Sequence, residues 1–237
     1  MPSDALPEMR PGLPSRQVLT DSVQEAILGL LMDGQLEPDA AVNIDALARS
    51  LHVSATPVRE ALARIAPTGL LQREALKGYR VAPPLTREEL GQLIDARLAI
   101  EPVATAAACE RADASLLAGL HRVHAAQVAA PTGPEYAGYD RYRDYLHADR
   151  TFHRLLNAGS GNPFLAQSFE SLNGHLHRFR LFLEHVVDDA PETLAEHAAI
   201  LEAMVDGDAP RAADQMRAHL RGLLVRASSW PAAPEET

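Results

Sequence analysis

Pro83 and Pro84 stand side by side roughly a third of the way along the chain, and neither a helix nor a strand runs through such a pair. They divide the 237 residues into two stretches of different character. Beyond them, long segments rich in Ala, Leu, Arg and Glu favour helix. Aromatic residues make up only 5% and β-branched runs are scarce, so no large sheet can frame the fold. The pattern predicts a mainly α protein: a small helical unit with a β-hairpin, then an all-α bundle of about six helices.

The first stretch predicts three helices and the hairpin. Asp21 or Ser22 would cap the first, whose apolar stripe is Val23, Ile27, Leu30 and Leu31, and Gly34 would end it. The second covers about Ile44 to Leu51. After a tight turn at His52-Val53, Ser54 would cap the third, which runs to about Ala66 with Pro57 in its first turn. Leu70–Arg73 and Tyr79–Ala82 then read as short strands around Lys77-Gly78. In the second stretch, Thr86 with Glu89 forms a capping box, and Asp113, Asn162 and Asp208 stand where N-caps belong. The helix after Asn162 should run to about Val187, with Leu165, Phe169, Leu172, Leu176, Phe179 and Leu183 along one stripe.

Composition narrows the function classes. Lone Cys109 excludes an intramolecular disulfide and a cysteine-rich zinc module. No apolar run approaches the ~18 residues of a membrane span, and residues 1–12 contain no apolar leader, so a cytoplasmic location is expected. The formal net charge is -10, yet residues 43–82 carry six Arg or Lys against three Asp or Glu. Helix, tight turn, helix and a basic hairpin, in that order, describe a winged helix-turn-helix. Its recognition helix would bury Val58, Ala61, Leu62 and Ile65 and leave Thr56, Arg59 and Arg64 outward. An outward Arg near a helix N-terminus can reach a guanine edge or a phosphate.

These residues resemble a known family. Val53–Leu62, followed by Gly69-Leu70-Leu71 and the Gly78-Tyr79-Arg80-Val81 wing, is similar to the recognition-helix signature of GntR-family bacterial transcription regulators. The resemblance implies operator binding with Arg49, Ser54, Thr56, Arg59, Lys77 and Gly78 near DNA. Ala55 departs from it, standing where family members often carry Arg.

The second stretch holds a different chemistry. Asp149 and His153, spaced i, i+4, share a helix face, and His197 and His219 lie on the apolar sides of two later helices. An N3O donor set of this kind suits zinc, and also nickel, manganese or iron. On spacing alone, each histidine can equally be a hydrogen-bonded core residue. The same residues, with Glu196 beside His197 and an Arg97/Glu101 pair, resemble the FCD-type effector domain of the FadR subfamily. That resemblance implies a divalent metal held by Asp149, His153, His197 and His219, and a small organic acid effector. Arg97 is the candidate for the acid's carboxylate, by a bidentate pair, and Asn173 is a second polar candidate.

The organisation expected is a flexible tail over 1–16, a winged helix-turn-helix over 17–84, an effector- and metal-binding helical domain over 85–228, and a tail over 229–237. The function expected is that of a ligand-responsive repressor acting as a homodimer on palindromic operator DNA, with no catalysis. A metal-dependent hydrolase and a pure metal sensor are the rival readings. No HExxH, GxSxG, P-loop or dinucleotide fingerprint supports the hydrolase.

Overall fold

The computed structural model describes residues 16–131, 139–180 and 189–228. The expected tails, apart from Arg16, and the end of the helix that starts after Asn162 lie outside those residues.

The first helix, α1 (Arg16–Met32), begins ahead of the expected caps. Asp21 and Ser22 sit inside it: Asp21 accepts a hydrogen bond from Arg64 at 2.7 Å, and the Ser22 hydroxyl donates back to the Val18 carbonyl at 2.9 Å. The start moves upstream because Leu19 extends the apolar stripe and packs on the same core as Val23, Ile27 and Leu31. Helix α2 (Ile44–Ser50) is capped by Asn43, whose side chain accepts from Ala46 N–H at 2.9 Å. His52, in the left-handed region at φ 54, makes the tight turn. Helix α3 (Ala55–Ile65) follows. Ser54 occupies the N-cap position, yet its hydroxyl makes no cap bond and stays exposed. Val58, Ala61, Leu62 and Ile65 are all buried. A single 3-10 turn, Ala66–Thr68, then ends on Gly69 at φ 79.

Strands β1 (Leu71–Glu74) and β2 (Gly78–Val81) pair antiparallel, Leu71 opposite Val81 and Glu74 opposite Gly78. The sequence gives no sign of a further edge, which the structure adds. Val42 N–H donates to the Tyr79 carbonyl at 2.8 Å and Val81 N–H to the Ala40 carbonyl at 2.9 Å, so residues 40–42 lie along β2. The hairpin tip carries Leu76, fully exposed at φ 63.

The second stretch forms α4 (Arg87–Glu110), α5 (Ala114–Ala129), α6 (Tyr139–Gly159), α7 (Pro163–Arg180), α8 (Ala190–Asp206) and α9 (Ala209–Ser228). The Thr86/Glu89 capping box is formed in both directions, at 3.1 and 2.8 Å. Asp113, Asn162 and Asp208 accept from helix N–H groups at 2.8, 3.0 and 3.0 Å. Pro102 lies inside α4 without ending it. Helix α4 packs against α6, α7 and α9, and its apolar face shares a core with Phe152, Leu156, Ile200, Met216 and Leu220. That core is separate from the one uniting α1, α2, α3 and the hairpin.

The two cores meet along a seam. The 3-10 turn after α3 rests on α7, where a Cβ placed on Gly174 would lie 2.6 Å from the Thr68 carbonyl carbon and closer still to its oxygen. Only glycine permits this approach of backbone to backbone. Beside it a cavity of about 360 Å3 opens between α1, the turn and α6, with Leu28, Met32, Ile65, Leu70 and Leu146 in its lining.

Candidate functional site

On the winged helix, Arg49, Ser54, Thr56, Arg59 and Lys77 are exposed, as a DNA-contacting role requires. Gly78 is half-buried at φ 98, a backbone conformation suited to glycine. Not every basic residue of the segment is available. Arg64 pairs with Asp21, and Arg80 pairs with Glu74 at 2.8 Å. The hydrogen bond from Arg80 holds the Glu74 carboxyl below its ordinary range. The exposed cations left on α2, α3 and the wing are Arg49, Arg59, Arg73 and Lys77.

In the bundle, helices α6, α8 and α9 each bring one imidazole to a common point. His153, His197 and His219 are buried, and each offers one ring nitrogen within 4.8 Å of the other two. Asp149, one turn before His153, places Oδ1 3.8 Å from His197 Nε2. Phe152 stacks on the His197 ring at 4.3 Å between centroids.

Each ring is fixed through its other nitrogen. His153 Nδ1 donates to Glu101 Oε2 at 2.6 Å, and His219 Nδ1 to Glu196 Oε2 at 2.7 Å. His197 Nδ1 donates to Gln127 Oε1 at 2.8 Å. The Gln127 amide is oriented by its other end, which donates to Asp149 Oδ1 at 3.3 Å. Three acceptors on Nδ1 leave three Nε2 lone pairs, the arrangement typical of metal-ligating histidines. His197 Nε2 is buried with no hydrogen-bond partner among the described residues. Burial lowers the pKa of His197 strongly and that of His219 as well, so both rings are neutral near pH 7, the form that can ligate. The donor set therefore fits a divalent metal.

Arg97 lies beside this cluster, fully buried on α4. Its Nε donates to Glu101 Oε1, while Nη1 and Nη2 have no hydrogen-bond partner among the described residues. Burial pushes the Glu101 carboxyl up, but Arg97 and His153 outweigh it and hold the pKa at about 2. Asn173 falls within α7, and its side chain lies outside the described residues. Sequence reasoning missed Gln127 altogether, and it missed the link from Glu101 to His153. Gln127 sits in no motif; its burial in an otherwise ordinary helix is its only distinguishing mark.

The fold and the exposed basic residues point to a winged-helix DNA-binding regulator with a second, all-helical portion. Comparison with known proteins makes this specific. Residues 19–81 match the model of bacterial regulatory proteins of the gntR family, and residues 92–222 match the FCD domain. The chain belongs to the GntR family of transcriptional regulators that carry an FCD domain. It is 27% identical to the HTH-type transcriptional regulator YdhC of Bacillus subtilis, over 80% of this chain and 82% of that one. It is also 27% identical to the HTH-type transcriptional repressor GlaR of Escherichia coli, over 80% of this chain and 87% of the other. The solved structure of E. coli McbR/YncC superposes with a TM-score of 0.69, covering 89% of this chain and 97% of that one; at 22% identity it attests the fold. No helix among the described residues is long and apolar enough to cross a membrane.

Proposed function

We propose that this regulator is a cytoplasmic homodimeric repressor whose operator affinity is set by a small organic acid bound beside a divalent metal. Residues 17–84 form the operator-binding unit and residues 85–228 the sensing unit. Arg59 and Thr56 face base edges, while Arg49, Ser54, Lys77 and Gly78 approach the DNA backbone and groove. Asp149, His153, His197 and His219 hold the metal, zinc first by donor type, with nickel, manganese and iron also suited. When bound, the ion supplies a Lewis-acidic charge for one carboxylate oxygen. The Arg97 guanidinium receives the acid by a bidentate pair, with Asn173 on α7 as a second polar contact.

The observation that carries this reading is the set of unmet buried groups: His197 Nε2 and both Nη atoms of Arg97. Buried polar atoms left without partners are costly, at about 1–3 kcal/mol each, and a ligand offering acceptors relieves them. Repression is supported by the relative GlaR, a transcriptional repressor by name, and dimerisation by the few bases a single recognition helix can read. An effector acts only by binding the two arrangements of the winged helices unequally.

The test is metal analysis of purified protein combined with operator binding. About one transition metal per chain is expected, lost in the His197→Ala/His219→Ala protein. Operator affinity should respond to an acid from a panel of hydroxy acids and dicarboxylates, and that response should vanish in Arg97→Ala while the metal remains. A parent protein that takes up no metal on reconstitution overturns the metal centre. An operator response to metal alone makes the protein a metal sensor.

A further inference from the structure

We propose that Glu101 is a shared positioning residue that couples an anion on Arg97 to a metal on the imidazole cluster. This inference rests on the metal-and-acid reading above, and its test separates the two.

The geometry is specific to one carboxylate. Oε1 of Glu101 accepts from Arg97 Nε, and Oε2 accepts from His153 Nδ1 at 2.6 Å. Arg97 and Glu101 are each only 1% exposed, so water cannot substitute for either partner. One turn of α4 therefore holds a guanidinium, and the same turn holds a ring that points its second nitrogen into the cluster. The other two rings are anchored differently. His197 hangs on the neutral amide of Gln127, and the Glu196 that holds His219 is bound by Arg226 at 2.7 and 3.0 Å. Arg226 is partly exposed, and both of its terminal nitrogens are taken up by Glu196. Among the described residues, Arg97 alone combines full burial, a bond to a carboxylate that positions a histidine, and two terminal nitrogens without hydrogen-bond partners there.

The consequence follows from charge sharing. Glu101 divides one negative charge between Arg97 and His153. An anion that accepts from Nη1 and Nη2 draws on the charge of the same guanidinium and weakens its hold on Oε1. More of the carboxylate's charge is then available to the Nδ1–H of His153. A stronger acceptor behind an imidazole makes its far nitrogen a better donor to metal. No proton or bond changes hands. Occupation of Arg97 thus tightens metal binding, and by reciprocity metal tightens anion binding by the same factor.

Zinc and acetate are sufficient probes. Zinc affinity of the full-length protein is measured by competition with a chelator, with and without acetate. In the parent, acetate should tighten zinc by at least about fivefold, the lower end of typical coupling. Glu101→Gln should weaken zinc by roughly 10–100-fold, and the acetate factor should fall to near one. Glu101→Asp keeps the charge but is one methylene too short to span both partners, so its acetate factor should also collapse. A measurement on the parent alone guards against misfolded variants: with zinc bound, acetate should move the His153 Nδ1–H proton resonance downfield. The same acetate factor in parent and variants, or an unmoved resonance, overturns the inference while leaving zinc binding intact. A parent that binds no zinc overturns the metal reading and this inference together.

Discussion

Replacing Gly174 with alanine tests the seam between the DNA-binding helices and the bundle. The added Cβ would sit 2.6 Å from the Thr68 carbonyl carbon, and what it meets is backbone, which cannot rotate away as a side-chain tip can. Ordinary carbon contacts begin near 3.4 Å, so α7 and the turn after α3 must part by roughly 1 Å in a region packed like a crystal. Overpacking of this kind costs about 1–3 kcal/mol. Alanine recovers about 0.5–1 kcal/mol of helix propensity relative to glycine, leaving a net loss of about 1–2 kcal/mol across the middle and upper part of the overpacking range. For a chain of this size that corresponds to a melting temperature lower by roughly 2–8 °C. The disturbance should be centred on the seam: amide exchange at Thr68 and Gly69 should quicken by more than exchange around Phe152 and Leu156, which deep in the bundle core follows only the global loss. Calorimetry and residue-resolved hydrogen exchange on parent and Gly174→Ala read both effects. A variant that melts at or above the parent temperature, with unchanged protection at Thr68 and Gly69, would show that turn and helix do not meet as described.

Three other outcomes follow from the same structure. Arg59→Ala should weaken operator binding by about 1–3 kcal/mol with no change in melting temperature, since its side chain is exposed; gel-shift titration of both proteins checks it. Lys77→Ala should lower affinity for specific and non-specific DNA alike and flatten the salt dependence by about one unit of slope, measured across a salt series. Thr86→Ala removes the side chain that accepts from Glu89 N–H, and should cost about 0.5–2 kcal/mol in denaturant unfolding.

What the sequence reveals, and what it hides, divides by reach along the chain. The Thr86/Glu89 box and the caps at Asp113, Asn162 and Asp208 involve partners two or three residues apart, so a local pattern suffices to predict them. The same holds for the i, i+4 placement of Asp149 and His153. The start of α1 is hidden because Asp21 and Ser22 look like caps, yet both sit inside the helix and use their side chains elsewhere. Ser54 looks like a cap, and the backbone does turn there, yet the hydroxyl stays out in solvent. The groups that orient the imidazoles are the least legible. Glu101 reaches His153 across two helices, and Gln127 reaches His197 from a helix with no motif. Arg64 looks like an outward cation until α1 folds back and presents Asp21 to it.

The three imidazoles come from α6 and from the consecutive helices α8 and α9, so His153 joins His197 and His219 only when the bundle closes. No single helix contains the cluster, so the three nitrogens converge only once α6 and the α8–α9 pair have come together. An ion held there, as proposed, would have to reach rings that the finished fold buries. For rings this buried, passage of such an ion would need the helices to open, and its exchange rate would then be a clock for local unfolding rather than a measure of affinity. A stopped-flow chelation trace would then report the motion of α8 and α9 against α6.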